Sequence, residues 1–329
     1  MTFPRPRLHP AVLAWAGKSP PRARWSIAFS GGADSLVLLL LVWAHWPARR
    51  TRFQALHFNH RLRGRESQSD EKFCRKVCAA LGVKLICGSW SGARKGASEA
   101  EARVARHDFF AKNSRALWLG HQQDDIAETM LMRIARGSGT AGLAAPRPVQ
   151  ARPGGRVHLR PLLTVKKSEI IAALRTAGIS WREDSSNAGA AFFRNRVRRE
   201  VLPAWSAASE RDALAGAARA RELLEEDDAA LELWLAELEP LEKSGLLRLA
   251  KLSGKPRAIL RRALHRWLLA QPAAGELSRQ AFELLLDAIV RAKPTRQSLG
   301  SQGFAVIRAG CLSFEFVGKR RGKFQRGAN

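Results

Sequence analysis

The chain reads as an α/β protein: a doubly wound, mostly parallel sheet, then a helical connector and a small α+β domain. Three observations carry this. Four short β-like runs, residues 24–30 (RWSIAFS), 52–58 (RFQALHF), 83–89 (VKLICGS) and 115–121 (RALWLGH), each precede a helix-compatible stretch. The runs are apolar rather than alternating, as strands covered on both faces are. Beyond them the composition shifts to an Ala/Leu/Glu-rich stretch over 207–238, followed by helices and short strands.

In chain order, polar residues crowd the carboxyl ends of three runs, at Ser30 to Ser35, His57 to Arg63 and His121 to Glu128. Open parallel sheets hold their ligands there. After Gly142 a Pro/Gly-rich passage predicts a loop with one short extended segment at 156–160. A helix from about Lys166 to Ala177 is expected to stop at Gly178, where glycine takes the left-handed conformation. The 207–238 stretch has strong helix propensity, with Leu224, Leu231, Leu235 and Leu238 on or near one face. Helices over 256–270 and 278–292 follow, then a hairpin of FAVIR and CLSFEF about Ala309–Gly310. The expected division is 1–205, a connector over 206–244, a small domain over 245–318, and a basic tail over 319–329.

Of 329 residues 46% are hydrophobic and 26% charged, close to globular averages of about 45–50% and about 25%, which excludes wholesale disorder. Lys and Arg number 56 against 29 Asp and Glu, a formal charge of +27. A surplus of that size suits a polyanion, because each neutralised phosphate releases a counterion. A solvated basic surface is the plain alternative. The longest apolar stretch, Leu36 to Trp46, falls well short of the roughly 18–20 residues of a membrane span. No apolar segment followed by a small-residue cleavage site opens the chain, so no secretory signal is expected. Cys74, Cys78, Cys87 and Cys311 form no CxxC and no zinc spacing, which points to a reducing, cytoplasmic setting.

The strongest motif is Ser30-Gly31-Gly32-Ala33-Asp34-Ser35, between a β-run and an apolar helix. Two glycines let backbone approach an anion, and a helix start offers unpaired N–H groups and a favourable dipole. A tight βα turn with an Asp or Ser cap is the alternative. On a helix starting near Gln123, Asp124, Asp125 and Glu128 share a face, and such carboxylates suit Mg²⁺ together with phosphate oxygens. A solvated acidic helix start reads equally from position. Arg103 and Arg106, one turn apart after a Ser98–Glu101 capping pattern, suit a polyphosphate or ordinary salt bridges with Glu99. His57, Asn59 and His60 end a strand at the ligand-facing edge, with structural histidines as the alternative. Asp184 and Asn187 stand in a turn, and the Arg194–Arg199 cluster with Phe192 and Phe193 mixes charge and aromatics as RNA contacts do.

The hexapeptide resembles the PP-loop of the ATP pyrophosphatase superfamily. Further blocks resemble tRNA(Ile)-lysidine synthetase: His57 to Arg63 (HFNHRLR), Ala102 to Arg106 (ARVAR), His121 to Thr129 (HQQDDIAET), Arg136 to Leu143, Arg160 to Leu163, Asp184 to Asn187 and Arg194 to Arg198. They follow in family order over about 22–205, and more weakly over 250–317. The resemblance implies an adenine nucleotide α-hydrolase-like fold and an ATP-dependent ligase. ATP would be attacked at its α-phosphorus by the C2 oxygen of the wobble cytidine in the CAU anticodon of isoleucine tRNA. Free lysine would then displace AMP to give lysidine.

It implies ATP contacts from Ser30, Gly31, Gly32, Ala33, Asp34, Ser35, His57, Asn59 and His60. Catalytic roles fall to Asp34, Arg103, Arg106, Asp125 and Glu128, and Mg²⁺ to Asp34, Asp124, Asp125 and Glu128. Contacts to tRNA or substrate fall to Arg63, Arg133, Asp184, Asn187, Arg194, Asn195 and Arg198. No protein partner is called for, and a homodimer is left open. The sequence departs from the family in having no Tyr: Phe192 or Phe193 stands before Arg-Asn, and His107 after the ARxxR block. The chain is also expected to represent the shorter architecture, without a second C-terminal module. Two rival readings are a PP-loop tRNA thiolase and a non-catalytic basic RNA-binding protein. The first needs reactive cysteines, and the second predicts no nucleotide turnover.

Overall fold

A short helix, α1 (Pro10–Lys18), precedes β1 (Trp25–Ala28), and α2 (Ala33–His45) follows the glycine loop. Then come β2 (Phe53–Asn59), α3 (Arg65–Ala80), β3 (Lys84–Ser89), α4 (Glu99–Asn113), β4 (Ala116–Trp118), α5 (Gln123–Ile134) and α6 (Thr140–Leu143). The computed structural model describes residues 3–61, 65–92, 99–183, 193–272 and 277–317. Each expected β-run yields a strand, trimmed where the chain leaves the sheet to make a loop.

The Pro/Gly-rich passage holds more order than expected. It forms a hairpin of β5 (Val149–Arg152) and β6 (Arg156–Leu159), with Val149 opposite Leu159. β6 is the expected extended segment. β5 is a four-residue edge strand, its Val/Ala alternation too short to read alone, and is ordered by its partner β6. The sheet runs β3-β2-β1-β4-β6-β5, parallel throughout except for β5. Chain order reverses between β1 and β4, so the crevice beyond their carboxyl ends is the switch point where such sheets bind ligands. Trp25 and Trp118 are fully buried in the core, their ring centroids 4.7 Å apart.

Past β6 comes α7 (Lys167–Thr176), with Gly178 at φ +64° just after it, as expected. From α8 (Phe193–Arg196) the chain passes through a π-turn at Val197–Val201 into α9 (Leu202–Ala208) and the long α10 (Ala213–Leu238). The chain forms two compact units, one through Glu225 and one from Glu226. The segment 206–244, set apart above as a connector, contributes to both. Leu214, Ala217 and Leu224 pack with Ala127, Met130, Val197 and Leu202 in the first unit. Leu231, Leu235 and Leu238 join the core of the second.

The second unit has an antiparallel sheet ordered β7 (Leu247–Arg248), β10 (Cys311–Phe316), β9 (Gly303–Arg308) and β8 (Thr295–Ser298). Its helices are α11 (Arg257–Leu269) and α12 (Arg279–Val290), both near their expected bounds. The β9–β10 hairpin turns at Ala309 and Gly310, with φ +49° and +72°. Trp267, Leu285, Leu286 and Leu312 are buried at its core. Asp228 and Glu232 of α10 pair with Arg262, and Glu232 also with Arg266, so part of that helix's negative charge is neutralised within the unit. Among the described residues no helix is long and apolar enough to cross a membrane.

Candidate active site

Beyond β1 the backbone turns at Gly31, at φ +90°, a conformation costly for any residue with a Cβ. Gly32 then caps α2. Space is short as well: a Cβ on Gly31 would lie 3.2 Å from Phe73 Cδ1 and 3.3 Å from Cys74 Sγ. The Ser35 hydroxyl ties the turn together, donating to Gly32 O at 2.9 Å and accepting from Ser30 N at 3.2 Å. Arg182 N donates to Gly31 O at 3.0 Å, and its Nε pairs with Asp70 at 2.8 Å. At the end of β4, a Cβ on Gly120 would lie 3.0 Å from the Asp34 carbonyl, so the two strand ends abut at the first turn of α2. A backbone cradle aimed along a helix start fits a phosphate group.

The residues expected at the end of β2 turn inward. His57 is buried, and its Nδ1 donates to Phe29 O at 3.0 Å, while burial lowers its pKa and keeps the ring neutral. Asn59 donates to Ser67 O at 3.3 Å and Glu71 Oε2 at 3.2 Å, and accepts from Arg61 N at 2.9 Å. It shapes the turn after β2. His60 packs edge-on to Phe58, with ring centroids 5.0 Å apart.

On α4, Arg103 is exposed and Arg106 half-buried, among cations. The rings of His107 and His158 stack with centroids 6.4 Å apart. Burial, then the surrounding arginines, pushes both pKa values down to about 4. Arg160 is buried, and among the described residues it donates to three neutral acceptors: His121 Nδ1 at 3.1 Å, Arg147 O at 2.7 Å and Gln150 Oε1 at 3.1 Å. Burial lowers its pKa to about 10.

At the start of α5 a capping box forms, with Asp125 Oδ2 accepting from Gln122 N at 3.0 Å and Gln122 Oε1 from Asp124 N at 2.6 Å. Glu128 is 1% exposed. Arg194 bridges it and Asp125 at 2.7 and 2.5 Å, and Arg198 grips both Glu128 oxygens at 2.5 and 3.0 Å. Asp124 accepts from Lys167 N at 3.0 Å, and the Lys167 ammonium reaches Asp34 Oδ1 at 2.6 Å. Burial pushes the Asp34 carboxyl above its usual range, and Lys167 opposes that shift. Asp34, Gln122, Asp124, Glu128, Lys167 and Arg198 line a cavity of about 310 Å³ together with Leu202, Pro203, Ser206 and Leu214.

The structure thus gathers Asp34, Asp124, Asp125, Glu128, Arg194 and Arg198 at one place. Arg133 lies apart, donating to Gly142 O at the end of α5, and Asn195 is buried. Arg63, Ser98, Asp184, Asn187 and Phe192 lie outside the described residues. The four carboxylates expected around Mg²⁺ do not face one another as one set. Among the described residues no three of His, Cys, Asp and Glu form an ion-holding group. Asp125 and Glu128 are neutralised by two guanidiniums and do not fit as ligands. Asp34 and Asp124 do fit, since Asp34 already holds a cationic group and Mg²⁺ takes only one or two carboxylates beside phosphate.

Sequence reasoning missed Lys167, Arg160 and Arg182 as site residues. Lys167 carried a signal: a lysine at the first position of a helix opposes the dipole, so something anionic must hold it. Arg160 carried one as well, the opening residue of the block Arg160 to Leu163, whereas Arg182 carried none, because its partner Asp70 lies 112 residues away.

A family model described as PP-loop domain matches residues 11–205. The tRNA(Ile)-lysidine synthase of Geobacter sulfurreducens is 36% identical over 300 residues, covering 85% of this chain and 61% of the relative. That of Solibacter usitatus is 37% identical over 268 residues, covering 78% and 58%. That of Xanthomonas campestris pv. campestris is 36% identical over 303 residues, covering 87% and 67%. The chain spans about three fifths of the length of the first two. Among solved structures, the U34-tRNA thiolase NcsA from Methanococcus maripaludis overlaps 62% of this chain and 72% of its own, at a TM-score of 0.49 and 18% identity. With a glycine cradle at the switch point of its sheet, a PP-loop match over more than half its length and a relative covered to two thirds, the chain belongs to the PP-loop family and, within it, to the tRNA(Ile)-lysidine synthases.

Proposed function

We propose that this chain ligates free lysine to C2 of the wobble cytidine in the CAU anticodon of isoleucine tRNA, consuming ATP and releasing AMP and pyrophosphate in the cytoplasm. One observation carries the reading beyond family membership. The cavity beside the glycine loop is lined by charged and apolar groups together, Asp34, Asp124, Glu128, Lys167 and Arg198 with Leu202, Pro203 and Leu214. An amino acid with two amines, a carboxylate and an aliphatic stem matches both kinds of lining. The cradle of Ser30–Ser35 beside it suits the phosphates of ATP.

The chemistry follows from what each group can do. The C2 oxygen of cytidine forms a bond to the α-phosphorus as the bond to pyrophosphate breaks, which converts that oxygen into part of a leaving group. A neutral lysine amine then bonds C2, AMP departs, and the amine loses a proton. Arg103 and Arg106 are assigned to the departing diphosphate. Asp34 and Asp124 would hold Mg²⁺, which would neutralise phosphate charge. The cysteines favour lysine over sulfur as the acceptor chemistry: burial pushes the Cys78 thiol up to about 12 and Cys74 higher still, the opposite of a reactive persulfide carrier.

Incubation with ATP, Mg²⁺, radiolabelled lysine and unmodified isoleucine tRNA should put label into an alkali-stable nucleoside and release pyrophosphate. Asp34→Asn should lose both signals and still bind tRNA on a filter. Label in an alkali-labile ester, or orthophosphate as the product, would sink the reading.

A further inference from the structure

Lys167 holds two of the expected site carboxylates at once. Its backbone N–H donates to Asp124 at 3.0 Å and its ammonium sits 2.6 Å from Asp34, with all three residues on the wall of one cavity. Helix energetics do not ask for a lysine there. Lys167 is the first residue of α7 and Lys166 precedes it, so two cations crowd the positive end of a helix dipole. Lys166 turns outward to Asp212, whereas Lys167 extends its half-exposed side chain to the buried first turn of α2, beside the glycine loop.

We propose that Lys167 is a phosphate-binding residue that alternates between two partners: Asp34 in the free protein, and a phosphate oxygen in the nucleotide complex. The inference rests on the reading that the loop takes ATP. Its physical reason is charge pairing. A partly desolvated ion pair separates only if each member finds a new partner. Magnesium nucleotide brings both at once, an anion for the ammonium and a cation for the Asp34 carboxylate. Exchange leaves no charge stranded in the cavity, and it makes nucleotide and cation binding depend on each other.

The test uses the full chain without tRNA and reads binding rather than turnover. Thermal melts are recorded with Mg²⁺ alone, and calorimetric titration uses the magnesium complex of α,β-methylene ATP. Lys167→Met should bind the analogue about tenfold more weakly, the loss expected for one hydrogen bond to a charged group. The same variant should gain thermal stability from Mg²⁺ alone, by a larger shift than the parent chain, because Asp34 has lost its resident cation. Lys167→Arg should regain analogue affinity, and the double variant Asp34→Asn/Lys167→Met should lose the added response to Mg²⁺. A lysine serving only as a tether between α2 and α7 would lower the melting temperature and leave both binding readouts unchanged, which overturns the proposal. So does either readout failing alone. If the parent chain does not bind the analogue, the ATP reading itself falls, a distinct result.

Discussion

Asp125 and Glu128 show how far the role of a carboxylate depends on its neighbours. Their spacing puts them on one helix face, which suits a metal, and Arg194 and Arg198 were expected to touch substrate. In the folded chain the four residues satisfy one another, with Glu128 at 1% exposure. Glu128 is buried whereas Arg198 is exposed, so removing both guanidiniums would strand a buried charge, while losing Arg198 alone costs less because water screens it. The pairs lie 66 to 70 residues apart, a distance no local pattern can encode. His107 and His158 carry the prediction at this scale. Their pKa values lie at about 4 in the folded chain against 6.5 ordinarily, through burial and then the arginines around them. Below pH 6.5 the unfolded chain therefore takes up protons first, and stability falls until about pH 4, with no contribution above that window. Urea midpoints measured across it should fall less steeply in a His107→Gln/His158→Gln double variant. An unchanged slope would remove these rings from the account.

At the scale of elements, the glycine loop and the helix after it were legible because their signal is local: an apolar run, two glycines, then a continuous helix former. Gly31 and Gly32 nonetheless play different parts, which the sequence does not separate. Gly31 is held at φ +90° against Phe73 and Cys74, whereas a Cβ on Gly32, at φ −71°, would meet Ser30 Oγ at 3.5 Å and Arg182 O at 3.8 Å, both ordinary contacts. Gly31→Ala should therefore cost about 1–3 kcal/mol from backbone strain and abolish nucleotide binding. Gly32→Ala should stay within about 0.5 kcal/mol of the parent. Denaturant melts of the two variants check this, and equal stabilities would show that the turn is not constrained as described. The β5 strand escaped notice for the converse reason. Its VQAR segment alternates over only four residues inside a Pro/Gly-rich passage, too short a pattern to read alone, and becomes a strand because β6 offers it an edge.

For the molecule as a whole, a formal charge of +27 has two readings, an RNA-binding surface or a solvated coat. The structure shows part of the positive charge gathered rather than scattered. Arg103, Arg106, Arg152 and Arg160 all act on His107, and the acceptors of Arg160 among the described residues are uncharged. Binding of isoleucine tRNA should weaken with salt along a log–log slope of about 0.7–0.9 per phosphate contact. A flat slope in filter binding from low to moderate salt would make the charge a coat.

The four parallel β-runs with the helices after them, the glycine loop and the PP-loop family were all contained in the chain as written. Apolar period, turn chemistry and helix caps act over a few residues, and the family blocks are contiguous. Partnership between ionic groups was not contained there. Whether Asp34 faces a metal, a lysine or solvent depends on α7 arriving beside α2 from 133 residues away. The same closure of the sheet brings Arg194 and Arg198 onto the α5 carboxylates. Coulombic and hydrogen-bonding interactions act through space, and folding alone sets which charges share a low-dielectric cavity.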